Sequence, residues 1–430
     1  MTGANYLVEG KSAKVLVDCG LRQGSSICEK QNWDPFPYNP SEIKAVFITH
    51  SHIDHIGLLP KLYKDGFRGK VFSTSACRDF SELLLYDSQH VLSLDASEKR
   101  KSMLYEESHI VELMKLWEGV DYYKPVKVDN LEAVFYDAGH ILGSSFILIN
   151  DGKTRIVFSG DLGNNPAPII GDKDKMPESD YCLIESTYGD RVHEGVNERK
   201  EIIEDLIEDT VKSKGVLMIP AFAMERTQEL LYEINDLSIH GRIPRTPIFV
   251  DSPLAIRLTE VYQHYYKVLK SGEFLFDFPD LKKTLTTEES KSINNINPPK
   301  IIIAGSGMMH AGRILHHLKF YLPDPNSTLL IVGYQAEGSL GRRLFDGVKK
   351  VKIFGDVVSV NARIKAMGGY SAHADQPQLI SWLESQRQSL KKVFVVQGEE
   401  GPSNILAQKI KDDLAINAEV PEFGKTYDIK

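Results

Sequence analysis

Over the first 190 residues, short apolar runs alternate with turn-rich polar stretches. The spacing predicts strands at 5–9, 14–18, 44–49, 69–73, 132–136, 145–149, 155–159 and 181–184. One segment breaks this rhythm: over about 76–118, Leu and Tyr recur among Ser, Glu and Lys at helical spacing, which predicts helix. From about 191 the texture changes. Val216-Leu217-Met218-Ile219-Pro220, Ile248-Phe249-Val250, Ile301-Ile302-Ile303-Ala304 and Leu329-Leu330-Ile331-Val332 read as buried strands. Helical stretches follow the first two, through Thr227–Leu231 and over about 254–268. Strands alternating with helices predict βαβ units and a parallel sheet. Residues 271–300, with mixed charge and prolines, read as a weakly structured linker or lid. After about 365 a strand–helix–strand–helix tail follows, and no internal repeat is visible.

Composition narrows the class. At 430 residues, with 42% apolar and 26% charged, the chain reads as a soluble globular protein of two or three domains, or of one large domain with an insertion. The apolar runs are too short to cross a membrane, and no basic-then-apolar leader opens the sequence. Cys19, Cys28, Cys77 and Cys182 are scattered and form no C-x-x-C pair, which fits reduced thiols in a cytoplasmic protein. A net charge of −8 argues mildly against non-specific nucleic-acid binding, although a local basic groove can coexist with an acidic whole.

The chemistry concentrates where the strand at 44–49 empties into His50-Ser51-His52-Ile53-Asp54-His55. In extended chain, residues i and i+2 point the same way, so His50 and His52 can grip one ion together. Asp54 and His55 lie further on and can face a second. Imidazole nitrogen and carboxylate oxygen suit zinc, manganese or iron. Further candidates sit at other strand ends: His140 in Asp137-Ala138-Gly139-His140 and Asp161 in Phe158-Ser159-Gly160-Asp161. An aspartate can bridge two ions roughly 3.5–4 Å apart, the arrangement of two-metal hydrolases. Asp18, in Leu16-Val17-Asp18-Cys19-Gly20, reads either as a residue that orients a ligand from behind or as a turn-forming Asp before Gly.

In order and separation, His50–His55, His140 and Asp161 resemble the metallo-β-lactamase superfamily. Glu185-Ser186-Thr187-Tyr188-Gly189-Asp190-Arg191 and Tyr370-Ser371-Ala372-His373-Ala374-Asp375 resemble two motifs of its β-CASP nucleases. Pro220–Arg226, Asp251-Ser252-Pro253-Leu254-Ala255, Gly307-Met308-Met309 and Gly333-Tyr334-Gln335-Ala336-Glu337-Gly338 extend the match over nearly the whole chain. It is most similar to the RNA-processing branch, which includes the nuclease subunit of the polyadenylation machinery and compact bacterial and archaeal proteins. The resemblance implies an α/β architecture: a four-layer αβ/βα metallo-β-lactamase domain with an inserted β-CASP domain on a mainly parallel sheet. Its parts would run over 1–190, 191–362 and 363–430, with the active site in the cleft between the domains.

Two positions depart from the family pattern. RNA-cleaving members end the last motif's strand in His-Gly-Glu, whereas Val393-Phe394-Val395-Val396 here ends in Gln397-Gly398-Glu399. Gln397 offers only a neutral amide oxygen, a poorer zinc ligand than imidazole, so a weak second site is expected. It also weakens the case for RNA over DNA. In addition, the sequence opens at Met1-Thr2-Gly3, without the strand that family members place before Thr-Gly, which implies either a truncated start or a shortened sheet edge.

The implied activity is metal-dependent hydrolysis of single-stranded RNA by hydroxide activated between two divalent ions, with zinc the expected metal. His50, His52, Asp54, His55, His140 and Asp161, with Gln397 at the weaker site, would be the ligands, and Asp54 would also orient the attacking oxygen. His373 would be the general acid, held by Glu185. Ser371, the Gly305-Ser306-Gly307 turn and Arg313 are candidates for flanking phosphates, Arg313 reading equally well as a solvated helix residue. His316 and His317 read as surface residues. No appended RNA-binding module is visible, so targeting is expected from this body, from a homodimer or from a partner. Two other readings compete: a catalytically weak RNA-binding scaffold of the same family, and a metallohydrolase of another phosphodiester or ester.

Overall fold

A computed structural model describes residues 3–23, 29–99, 102–193, 196–273, 276–333, 335, 338–367 and 371–429. Cys28 and the motif residues Tyr334, Ala336, Glu337 and Tyr370 lie outside the described residues, as do Met1 and Thr2. The chain forms two compact units, Met1–Val192 with Ala372–Lys430, and His193–Ser371.

The first unit begins with β1 (Tyr6–Glu9), β2 (Lys14–Val17), β3 (Ile43–Phe47), β4 (Lys70–Thr74) and β5 (Trp117–Val120). They form a five-stranded sheet in that order, antiparallel between β1 and β2 and parallel thereafter. β6 (Val126–Val128), β7 (Leu131–Asp137), β8 (Ser145–Asn150), β9 (Arg155–Phe158) and β10 (Tyr181–Glu185) begin a second sheet. β7 shows why it sits in a sandwich. Leu131, Ala133 and Phe135 alternate inward, as the twofold period of a strand requires. They meet Val17, Ala45 and Phe47 of the first sheet in a core between the sheets.

In the second unit, β11 (Val216–Pro220), β12 (Ile248–Asp251), β13 (Leu281–Lys283), β14 (Lys300–Ala304) and β15 (Thr328–Val332) precede a hairpin of β16 (Lys350–Ile353) and β17 (Asp356–Ser359), then β18 (Arg363–Met367). Six strands form a sheet in the order β13-β12-β14-β11-β15-β18, with every pair parallel. β11, β14 and β15 are buried throughout, which is why they read as unbroken apolar runs. The chain then returns to the first unit, where β19 (Lys392–Val396) and β20 (Ala418–Glu419) complete a seven-stranded sheet, β20-β19-β10-β9-β8-β7-β6. Helices Gln376–Glu384 and Glu400–Leu414 cover its outer face through Leu379, Leu383, Leu406 and Ile410. Helices Ser75–Lys99 and Glu107–Met114 flank the five-stranded sheet, giving four layers, αβ/βα.

Three expectations need correction. The stretch 76–118 is two helices followed by β5, a strand whose Glu118 and Gly119 hide the apolar pattern. Residues 271–300 are not structureless: β13 extends the parallel sheet against β12, and a helix at Thr287–Ser292 carries a capping box between Thr286 and Glu289. The return to the first unit falls after Ser371 rather than after 362, because β18 pairs with β15 along its whole length.

Candidate metal centre

Four chain segments of the first unit converge. Just past β3, the loop His50–His55 turns into a four-residue helix, Ile53–Ile56. Backbone bonds hold this loop from below: Ala4 N to Asp54 O (2.7 Å), Cys19 N to His55 O (2.8 Å) and Leu21 N to Ile53 O (2.9 Å). Gly20 is needed there, since a Cβ would fall 1.6 Å from the Asp54 carbonyl oxygen. His140 follows β7 in a turn whose backbone N–H donates to Ser144 Oγ (3.1 Å). Asp161 follows β9, and Gln397 follows β19 with a positive φ of 53°.

The ligand-type atoms fall into two groups that share Asp161. His52 Nδ1 lies 3.0 Å from His50 Nε2 and 3.2 Å from His140 Nε2. Asp161 Oδ2 is 3.3 Å from His50 Nε2 and 3.6 Å from His140 Nε2. Asp161 turns its other oxygen, Oδ1, to His55 Nε2 at 3.4 Å, and Asp54 Oδ2 is 4.0 Å from the same nitrogen. The Gln397 amide also ends there, 3.2 Å from His55 Nε2. Rotating that amide by half a turn presents Oε1 in place of Nε2, an acceptor oxygen in the same position. All of these residues are buried except His52 and Gln397, which are half-buried.

Burial holds His50 and His140 well below the ordinary histidine pKa, with His55 repelling charge on the first and His373 on the second. Both therefore present neutral nitrogens, the form a metal accepts. Burial would push Asp161 up, but His55, His50 and His373 hold its carboxyl well below the usual range. Three inward-facing imidazole nitrogens and one carboxylate, within 4.8 Å of one another, can hold a divalent cation.

Hydrogen bonds behind the ligands fix the rings. His55 Nδ1 lies 2.7 Å from Asp18 Oδ2. Asp18 also accepts from Thr49 N and Thr49 Oγ1, both at 2.8 Å. His140 Nδ1 is 3.0 Å from Ala372 O, and Thr49 Oγ1 is 3.1 Å from His50 Nδ1. Sequence reasoning found Asp18 and passed over Thr49, whose signal is its place immediately before the first ligand. Such outer partners orient a ligand and raise its basicity.

His373 adjoins this group. A short ladder locks its backbone to the Asp161 loop: Ala374 N to Leu162 O (2.7 Å), Asn164 N to Ala372 O (3.1 Å) and a bridge between Gly163 and His373. Its Nδ1 lies 3.2 Å from Glu185 Oε2 and 3.9 Å from Asp161 Oδ2. Burial opposes its charge, but Glu185 and Asp161 prevail and lift its pKa to about 9. The buried Glu185 is itself held by the Leu162 N–H at 2.6 Å.

Three sequence candidates lie in the second unit. Arg313 donates to Asp251 Oδ1 (2.8 Å), Thr284 O (3.0 Å) and Leu285 O (2.8 Å), so it braces a loop rather than standing open to a phosphate. Ser306 closes its own turn, exchanging hydrogen bonds with the Ala311 backbone. Ser371 is half-buried at the end of the unit. His317, expected on the surface, is buried with Nε2 2.6 Å from Asp251 Oδ2, whereas His316 is exposed.

Comparison with known proteins agrees with this architecture. Residues 7–165 match the metallo-beta-lactamase superfamily domain, 227–344 the Beta-Casp domain, and 357–421 the Zn-dependent metallo-hydrolase RNA specificity domain. Ribonuclease TTHA0252 of Thermus thermophilus is 36% identical over 409 residues, 93% of this chain and 91% of that protein. An RNase J-like protein of Methanocaldococcus jannaschii is 31% identical, covering 97% of this chain and 94% of its own length. Transcription termination factor FttA of Methanosarcina mazei is 29% identical over 96% of this chain, which spans 67% of that longer protein. A crystal structure of a protein of unknown function from Enterococcus faecalis V583 shares the fold, with a TM-score of 0.56 and 12% identity, covering 99% of this chain and 96% of that one. With three domain models in order and relatives aligned end to end, the chain belongs to the β-CASP family of metallo-β-lactamase-superfamily nucleases.

Proposed function

We propose that the protein is a ribonuclease that hydrolyses phosphodiester bonds of single-stranded RNA at two divalent cations. The observation that carries this reading is the split of Asp161, one oxygen toward His50 and His140 and the other toward His55. His50, His52 and His140 would hold the first ion. Asp54, His55 and Gln397 would hold the second, with zinc expected at the first. Bound there, the ions supply a water acidic enough to ionise near neutral pH and neutralise phosphoryl charge.

The chain's own groups do the rest. Asp54 orients the attacking oxygen. His373, protonated at neutral pH through Glu185 and Asp161, donates a proton to the leaving oxygen. Glu185 fixes the Nδ1 side of its ring, so Nε2 is the donor. The names of the relatives, a ribonuclease and an RNase J-like protein among them, support RNA as the substrate class.

The test uses metal-supplemented protein with end-labelled single-stranded RNA and DNA of one sequence. Wild type is expected to cut RNA, and Asp161→Ala to lose both metal and cleavage. Full activity in that variant would refute a metal mechanism, and cutting of DNA alone would refute the RNA assignment. His373→Ala should slow RNA cleavage by about 10²–10⁴-fold, the usual worth of general acid catalysis. It should slow bis(p-nitrophenyl) phosphate hydrolysis far less, because that leaving group needs no proton. Equal losses on both substrates would remove His373 from the acid role.

A further inference from the structure

The second unit carries a surface that the metal chemistry does not use. Between Arg342 and Lys365 lie seven Lys or Arg and two Asp, a net of +5 in a chain whose formal charge is −8. Arg342 is matched by Asp346 and Lys319 by Asp356. Arg343, Lys349, Lys350 and Lys352 are exposed and form no ion pair among the described residues. Lys350 and Lys352 stand on the outer face of β16, across from Ser359 and Val357. Val351, Ile353 and Val358 bury the other face.

The tip of this hairpin is unusual. Phe354 and Gly355 join the strands, both with positive φ, 52° and 86°. A two-residue turn of this hand is filled most easily by Asn-Gly or Asp-Gly. A bulky side chain in the first place is strained. Burial does not offset that strain, because Phe354 is 55% exposed. Its ring lies 4.6 Å from that of His316, and one turn along the same helix Phe320 is also exposed. Backbone strain kept for an exposed aromatic ring points to a binding role.

We propose that this hairpin is an accessory docking site for single-stranded RNA, an inference that rests on the ribonuclease reading. Lys350 and Lys352 would contact phosphates, and Phe354, backed by His316, would stack on a base, the combination by which single strands are held without sequence preference. Lysine is depleted at the cores of protein–protein interfaces, so unpaired lysines beside the aromatic favour a polyanion over a protein partner. The RNA specificity domain match begins at residue 357, within this hairpin.

The test measures binding of a fluorescein-labelled single-stranded RNA to the full chain in EDTA, across a salt series. Two variants are compared with wild type: Lys350→Ala/Lys352→Ala, and Phe354→Asn, which suits the turn better than Phe and so does not threaten folding. The double lysine variant should bind more weakly and reduce the salt slope by about 1.4, at about 0.7 per phosphate contact. Phe354→Asn should weaken binding about fivefold or more with an unchanged slope, as loss of stacking requires. Wild-type affinity and slope in both variants would overturn the docking site while leaving the nuclease reading intact. Unchanged RNA binding with a fall from dimer to monomer would assign the face to a second copy of this chain instead. Absence of RNA binding by wild type would likewise overturn the docking site, and the ribonuclease reading is then decided by the cleavage assay of the metal-supplemented protein.

Discussion

Position 397 decides how equal the two ligand groups are. The first group has three imidazole nitrogens, whereas around His55 the donors are mostly oxygen, from Asp54, Asp161 and Gln397 if its amide turns. Gln397→His is expected to tighten a second zinc by on the order of tenfold or more, since imidazole is the better zinc ligand. Zinc stoichiometry by mass spectrometry under chelator competition checks this. An unchanged stoichiometry would show that the amide already suffices or does not ligate. Asp18 acts through the ring of His55. Asp18→Asn keeps the shape but weakens the grip on His55 Nδ1, and should cost about 10–100-fold in metal affinity, as such outer partners typically do. The same competition titration reads it, and an affinity within twofold of wild type would mean that Thr49 alone can orient the ring.

Among the elements, the second unit is tied together by a buried carboxylate at the end of β12. Asp251 accepts hydrogen bonds from Thr284 Oγ1 and Ser290 Oγ, each at 2.6 Å, and from Arg313 at 2.8 Å, with His317 Nε2 at 2.6 Å. It thus joins β12, the segment 284–290 and the helix Ile314–Tyr321. Burial would raise its pKa, but these bonds prevail and hold it far below the ordinary carboxylate value. A group whose folded pKa is depressed stabilises the fold above its unfolded pKa and loses that contribution as pH falls. Urea unfolding of the second unit should therefore weaken progressively below about pH 5. Asp251→Asn should flatten that dependence. Arg313→Ala should cost about 3 kcal/mol, because it leaves a buried charge short of its main cation. A midpoint equal to wild type would show that His317, Thr284 and Ser290 hold Asp251 without it.

This clasp also shows what the sequence can and cannot disclose. The candidate ligands His50, His140 and Asp161 are legible because each follows closely on an apolar strand, and His52 because its spacing from His50 is that of extended chain. Arg313 and Asp251 lie 62 positions apart, and no local pattern pairs them, so Arg313 looks like a free cation until the fold is seen. β5 and β6 escape for a related reason. Both are short, with the polar Glu118 and Lys127 exposed, and their strand character comes from neighbours rather than from their own residues.

For the whole molecule, the metal centre is also a fastening. It gathers segments after β3, β7, β9 and β19, adding to the loop hydrogen bonds that already join some of them, such as Gly163 N to Ala138 O at 2.9 Å. Dialysis against chelator should lower the melting temperature of the first unit by about 5–10 °C, given roughly 2.7 kcal/mol of linkage at metal one hundred times above its dissociation constant. Calorimetry checks it, and an unchanged transition would mean that the ligands are held in place without the ion.

The strand order carries a consequence in time. β19 pairs with β10 across more than 200 intervening residues, and it delivers Gln397 after the segment that supplies His373. The core beneath the centre also needs Leu406 and Ile410, later still in the sequence. A polypeptide growing from its N-terminus therefore holds the early residues of the centre without their late partners until the segment through Ile410 has been made. Ribosome-stalled chains ending at 371 should show neither high-affinity metal uptake nor cleavage, and either property would contradict this order of assembly. On the ribonuclease reading, the growing chain would lack an assembled centre while it is still tethered to the message that encodes it.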